Sequence, residues 1–200
     1  FYLRQGHKLS DGEPFTADDI LFWYYDIQLN PDLFPNPRDS WKTQGKLMEI
    51  EKIDETTVKL KFGSPRPGAL IMFANSYIQP WQPKHFLSQY HIKYNDKAND
   101  LAKEAQLENW TALFRQYYHD WKDSFHKPVP TLESHMWAEE DTQHRLMSAN
   151  PYYFKVDTAG QQLPYINEQN ETFDSDLQLI NLKITAGEVD LKSNALPLTD

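Results

Sequence analysis

The chain has 200 residues, 40% of them hydrophobic, which is enough to bury one large core or two small ones. Its formal net charge of −9 argues against binding nucleic acid or an anionic membrane surface through bulk electrostatics. The absence of cysteine excludes disulfides and thiolate chemistry, and no apolar run is long enough to span a bilayer.

The first predicted element is a β-like lead over residues 1–4, followed by a turn built from Ser10-Asp11-Gly12. Thr16, with Asp19 three residues on, forms a capping-box pattern, so we expect a helix to open at Thr16. Four apolar residues follow at α-helical spacing and predict one buried face: Ile20, Trp23, Tyr24 and Ile27.

The middle of the chain predicts a hairpin and several helices. Apolar residues alternate with charged ones over residues 48–62 across an Asp54-Glu55-Thr56 turn, which is typical of an antiparallel hairpin with one buried face. Short helices are expected at residues 69–74 and 84–90. Residues 95–122 are predicted to be mostly helical, with Asn109 as an N-cap. An aromatic stripe there is interpreted as core: Trp110, Leu113, Phe114, Tyr117 and Trp121.

The Pro-rich segment at residues 127–131 is the best candidate for a boundary inside the chain. It divides the sequence into a mixed α+β subdomain, residues 1–127, and a second part, residues 128–200. In the second part, Asp157 and Gly160 have the chemistry of a turn. A strand is expected at residues 166–173, then a helix ended by Gly187, then the start of another strand at residues 189–191.

Three blocks carry a family resemblance. Residues 3–19 read LRQGHKLSDGEPFTADD, residues 150–166 read NPYYFKVDTAGQQLPYI, and residues 186–191 read AGEVDL. Together they resemble the family 5 solute-binding proteins of ABC importers, the extracytoplasmic receptors typified by dipeptide- and oligopeptide-binding proteins. One departure is that Ser148-Ala149 stand where many relatives have Glu-Arg, so an ion pair common there cannot form here.

The resemblance implies an α+β (mixed α/β) fold that forms part of one lobe of a bilobal, type II periplasmic-binding-protein architecture, with the second lobe absent from this chain. It also implies a monomeric, non-enzymatic receptor without a cofactor and without a nucleic-acid partner. Such a receptor binds oligopeptides or oligosaccharides and delivers them to the permease subunits. We expect it in the periplasm, or outside the cell on a lipoprotein anchor.

Two other functions stay open at this point. The same module serves as the ligand-sensing half of some transcriptional regulators, which a DNA-binding helix-turn-helix upstream in the full gene would reveal. Aromatic-rich clefts with two acids also describe carbohydrate-active enzymes. Nothing in the sequence fixes two acids at a defined separation, and Ser10-Asp11-Gly12 lacks the elbow and tethered histidine of a nucleophile motif.

The resemblance places candidate ligand contacts at Ser193 and Asn194, directly after the third block. Asn194 aligns with a peptide-contacting asparagine of the oligopeptide-binding relatives, and its amide can donate to and accept from a peptide or a sugar hydroxyl. Ser193 stands where those relatives have a tyrosine, which removes a stacking surface. The alternative is that Asn194 only satisfies a turn.

One cluster contains residue types that bind metals: Glu139, Glu140, Asp141 and His144. It has enough oxygen and nitrogen ligands for a weak divalent site, but no HExxH or paired HxxxH motif. A solvated acidic stretch is the favoured interpretation, so no metal site is predicted.

Overall fold

The computed structural model describes residues 1–74, 79–118 and 128–192. Helix α1, Ala17–Leu21, begins with both halves of the predicted capping box. The Thr16 hydroxyl accepts a hydrogen bond from the Asp18 N–H, and the Asp19 carboxylate accepts one of 2.8 Å from the Thr16 N–H. The expected helix start is therefore confirmed, because a cap depends only on neighbouring residues.

The continuation of this helix corrects the sequence prediction. The segment Phe22–Gln28 is a π-helix, and its side chains do not form a single apolar face. Trp23 and Tyr24 pack into one buried hydrophobic cluster, whereas Phe22 and Ile27 pack into a second. The segment lies between two hydrophobic clusters and is buried on both sides. The α-helical spacing of its apolar residues predicts only one buried face.

The predicted hairpin is confirmed. Two short strands, β1 Lys42–Thr43 and β2 Lys46–Leu47, precede a longer antiparallel pair, β3 Glu49–Asp54 and β4 Thr57–Lys61. Ile50 and Val58 are buried on the inner face of this pair. The expected β-like lead runs beside β4, where Tyr2 forms an antiparallel bridge with Thr57.

Four helices build the rest of the first part: α2 Ala69–Ala74, α3 Lys84–Leu87, α4 Ala98–Glu104 and α5 Trp110–Tyr117. A 3₁₀ turn at Ser88–Tyr90 extends α3. Asn109 caps α5 as predicted, accepting a hydrogen bond of 3.0 Å from the Ala112 N–H. Trp110 and Phe114 are buried in the second cluster, so the aromatic stripe is core as far as the structure describes it; Trp121 lies outside the described residues.

The second part forms an antiparallel sheet in the order β5-β6-β7, from strands His135–Glu140, His144–Ala149 and Glu168–Thr172. Helix α6, Leu177–Thr185, follows and ends at Gly187, which has a φ of +77°. Residues 189–191, where the sequence predicts the start of another strand, are not in a strand, and the residues after 192 lie outside the described part of the chain. None of the helices in the described ranges is long and apolar enough to cross a membrane.

Candidate functional site

The predicted ligand contacts, Ser193 and Asn194, lie outside the described residues. Their role therefore stays a prediction. The described chain leads to them from α6, whose end is fixed by two backbone hydrogen bonds. The Gly187 N–H donates to Ile184 at 3.0 Å, and the Glu188 N–H donates to Lys183 at 2.9 Å.

The structure brings the first two sequence blocks together at a seam that we call the block junction, formed by Ser10, Gly12, Thr131, Asn150 and Tyr152. The Ser10 N–H donates to the Thr131 carbonyl at 2.9 Å, and the Thr131 N–H donates back to Ser10 Oγ at 3.1 Å. This reciprocal pair joins residues 121 positions apart. Ser10 Oγ is therefore engaged in a structural contact.

Asn150 completes the block junction from inside. It is 2% exposed, and its Nδ2 donates to the carbonyls of Thr131 and Glu133, at 3.3 and 2.9 Å. Its Oδ1 accepts a hydrogen bond of 2.9 Å from the Tyr152 N–H. Both ends of this buried amide are thus satisfied, which is the condition for burying a polar group without a large free-energy penalty.

Gly12 and Tyr152 form the outer edge of the block junction. Gly12 has a φ of +90°, and a Cβ at this position would lie 3.0 Å from the Tyr152 hydroxyl oxygen. The positive φ favours glycine here, and an added Cβ would also make the end of the tyrosine side chain shift by a few tenths of an ångström. The turn predicted for Ser10-Asp11-Gly12 serves to seat a side chain of the second block.

Two carboxylates of the first block hold the start of α3. Asp11 Oδ2 lies 2.6 Å from His85 Nε2, and Asp19 Oδ1 accepts a hydrogen bond of 2.9 Å from the Lys84 N–H. Asp19 is 4% exposed. Burial raises the pKa of Asp19, and the hydrogen bonds from Thr16 and Lys84 oppose that rise.

The acidic cluster at residues 139–144, which contains metal-binding residue types, lies at the turn between β5 and β6. Asp141 Oδ1 accepts hydrogen bonds of 2.7 Å from the N–H groups of Gln143 and His144, which hold the pKa of Asp141 below its usual value. Glu140 pairs with the buried Arg145 at 2.9 Å. Within the described ranges, no group of three or more His, Asp or Glu residues could hold a metal ion. These carboxylates shape the hairpin.

Solved structures define the class of protein to which this arrangement belongs. The chain superposes on oligopeptide-binding protein OppA with a TM-score of 0.83 and 33% sequence identity, covering 96% of this chain and 30% of that one. It also superposes on MelB from Agrobacterium fabrum, determined with stachyose, with a TM-score of 0.66 and 26% identity over 93% of this chain and 26% of that one. The fold is part of a lobe of a solute-binding protein.

The particular family follows from the sequence comparison. The chain belongs to the bacterial extracellular solute-binding proteins, family 5 (Middle), whose family model matches residues 1–198. It is also 30% identical, over 169 residues, to the periplasmic alpha-galactoside-binding protein of Rhizobium meliloti (strain 1021), covering 84% of this chain and 22% of that relative. The chain thus spans less than a third of the length of the relatives it matches, and the family is one of binding proteins, not of catalysts.

The three blocks can be read from the sequence, but the contacts between the first two cannot. In the sequence Thr131 stands out only as part of the Pro-rich boundary, and Lys84 only as the start of a predicted helix. The one local signal was the Asn150-Pro151 dipeptide, which marks a turn start. A buried amide that bonds two carbonyls of another segment requires a tertiary contact that no short sequence window contains.

Proposed function

We propose that this protein is the substrate-binding component of an ABC importer. It binds an oligopeptide or an oligosaccharide outside the cytoplasmic membrane, as a periplasmic protein or a lipoprotein, and delivers it to the permease. The observation that carries the proposal is the family match over residues 1–198. The relatives' names support the two ligand classes: one is an alpha-galactoside binder, one an oligopeptide binder, and one was determined with stachyose.

In this proposal the chain supplies part of the first lobe of a monomeric, non-enzymatic receptor that needs no cofactor and no nucleic acid. Residues 1–127 are a mixed α+β subdomain of that lobe, residues 128–200 are part of its main domain, and Ser193 and Asn194 contact ligand. The block junction supports this role because it ties the two parts together through the buried Asn150 amide and through the reciprocal hydrogen bonds of Ser10 and Thr131. Such a lobe moves as one body when a hinge closes around the ligand.

The test is a thermal-shift screen of the full-length protein against tri- to pentapeptides and against raffinose and stachyose, with glucose and single amino acids as controls. A ligand present at 100 times its Kd stabilises the folded protein by about 2.7 kcal/mol. We expect either the oligopeptides or the oligosaccharides to raise the melting temperature, and we expect glucose and the single amino acids to leave it unchanged. A well-folded protein that responds to neither class contradicts the proposal.

A further inference from the structure

One surface of the described chain carries cations on aromatic rings. The Arg4 guanidinium lies 5.1 Å from the centre of the Phe154 ring, and Lys155 Nζ lies 5.7 Å from the same centre. Beside them, Lys8 Nζ lies 5.2 Å from the centre of the Tyr152 ring. We call Arg4, Lys8 and Lys155, with these two rings, the cationic surface.

The three cations are exposed, and none of them has a carboxylate at salt-bridge distance within the part of the chain that the structure describes. The carboxylates closest to them in sequence have other partners. Asp11 bonds His85, and Asp157 accepts hydrogen bonds from the Tyr165 hydroxyl and from backbone N–H groups. One acid lies near enough to matter: the Lys155 charge lowers the pKa of the half-buried Glu133, against the rise that burial causes. Three cations against this one acid leave the surface with a net positive charge in a chain whose net charge is −9.

The rings that support the cations are held in place. The Tyr152 ring lies against Gly12, and the backbone N–H of the same residue donates to Asn150 Oδ1, which fixes the chain that carries the ring. The His7 ring packs edge-on against Phe154, with ring centres 4.9 Å apart. Cations supported by fixed rings lose less conformational freedom on meeting a partner than freely moving ones do.

We propose that the cationic surface docks an acidic segment of the permease, an inference that rests on the proposed function. The charge selects an anionic partner, and the open position of the side chains suits another protein better than a ligand enclosed in a cleft. An extended anionic membrane would also be repelled by the negative charge of the rest of the chain. A short acidic segment meets only the local cations, because charges are screened beyond about 8 Å at physiological salt.

The test compares two triple variants of the full-length receptor that change the net charge equally. The first is Arg4→Gln, Lys8→Gln and Lys155→Gln. The matched control neutralises three exposed lysines elsewhere: Lys46, Lys59 and Lys97. Ligand affinity is measured in solution, and transport is measured with the permease in proteoliposomes.

We expect the first variant to keep its ligand affinity and to transport about fivefold more slowly, a difference that shrinks as salt rises to about 0.5 M. The control variant keeps both properties. A charge-preserving variant, Arg4→Lys, Lys8→Arg and Lys155→Arg, recovers most of the transport rate.

Three outcomes overturn the inference: unchanged transport in the first variant, an equal loss in the control, or a loss that matches a lower melting temperature, which would mean that these side chains stabilise the fold and do not meet a partner. Charge-dependent adhesion of the unmodified receptor to phosphatidylglycerol vesicles, abolished in the first variant, also overturns it in favour of a membrane. Failure of the unmodified receptor to bind or transport any ligand contradicts the proposed function instead.

Discussion

Asp19 Oδ1 accepts a hydrogen bond of 2.9 Å from the backbone N–H of Lys84, a residue 65 positions further along the chain. The other oxygen of the same buried carboxylate accepts a hydrogen bond of 2.8 Å from the Thr16 N–H. One side chain therefore caps α1 and fixes the start of α3, so a helix signal that is local in sequence also serves as a long-range clamp.

Asp19→Asn should lower the free energy of unfolding by about 1–3 kcal/mol, because an amide NH₂ replaces one acceptor and leaves a buried N–H unbonded. Denaturant unfolding measures it. The neighbouring Asp18→Asn is the matched control. Asp18 pairs with Lys52 at 2.9 Å near the surface, so its loss should cost less than about 1 kcal/mol. Equal effects of the two substitutions would show that Asp19 is not a clamp.

Stability should fall in mild acid because of His91, which is 1% exposed. Its Nδ1 accepts a hydrogen bond of 3.1 Å from the Lys93 N–H, and its Nε2–H donates to the Asp26 carbonyl at 2.9 Å, an arrangement that requires the neutral ring. Burial lowers the pKa of His91, and the Lys93 charge adds to this. The hydrogen bond to the Asp26 carbonyl and the Asp26 and Asp32 charges oppose it.

A lowered folded-state pKa means that the unfolded chain takes up a proton first. The stability contribution is therefore present above the usual histidine pKa of about 6.5 and is lost as pH falls below it. His7, whose pKa is lowered by burial and by Arg4, acts in the same direction. Urea unfolding at several pH values should show a smaller loss of stability in acid for His91→Gln than for the parent or for a variant of the exposed His144. If the free energy of unfolding of His91→Gln depends on pH as steeply as that of the parent, the prediction is wrong.

Gly160 should matter for stability and not for binding. It has a φ of +82°, and no atom lies within 4 Å of where a Cβ would stand, so the cost of an alanine is conformational and not steric. Gly160→Ala is expected to cost about 1 kcal/mol of unfolding free energy. The neighbouring Ala159→Gly serves as control for the loop. Calorimetry on the full-length protein should find the ligand affinity unchanged; lost binding with an unchanged melting temperature would contradict a purely structural role for this turn.

Asn194→Ala in the full-length receptor should weaken ligand binding by about 1 kcal/mol, the value of one hydrogen bond. Titration calorimetry measures the affinity, and thermal unfolding measures the stability of the same variant. Ser193→Ala tests the second predicted contact, whose smaller hydroxyl should cost less binding free energy. If the affinity holds while only stability falls, Asn194 is a turn residue.

The 200-residue chain by itself should not bind the physiological ligand measurably. In the proposed receptor the second lobe supplies about half of the contacts, and each 1.4 kcal/mol lost weakens affinity about tenfold. Calorimetry on the chain and on the full-length protein with one ligand makes the comparison. Comparable affinities would place the whole site within this chain.

The sequence by itself determined the features that depend on neighbouring residues. The capping box at Thr16, the Asn109 cap, the hairpin over residues 48–62 and the glycine end of α6 were all predictable, because each uses hydrogen bonds or alternation within a few positions. The family could be identified for the same reason, since its three blocks are short and continuous.

Only the tertiary structure decided the features that join distant segments. The segment Phe22–Gln28 is a π-helix between two hydrophobic clusters, and burial on both sides overrides the single face that its spacing predicts. Lys84 meets Asp19, and Asn150 meets Thr131, because the packed cores bring those segments within hydrogen-bond distance. A buried polar group takes whichever partner the packing brings to it, and that choice is made by the whole fold.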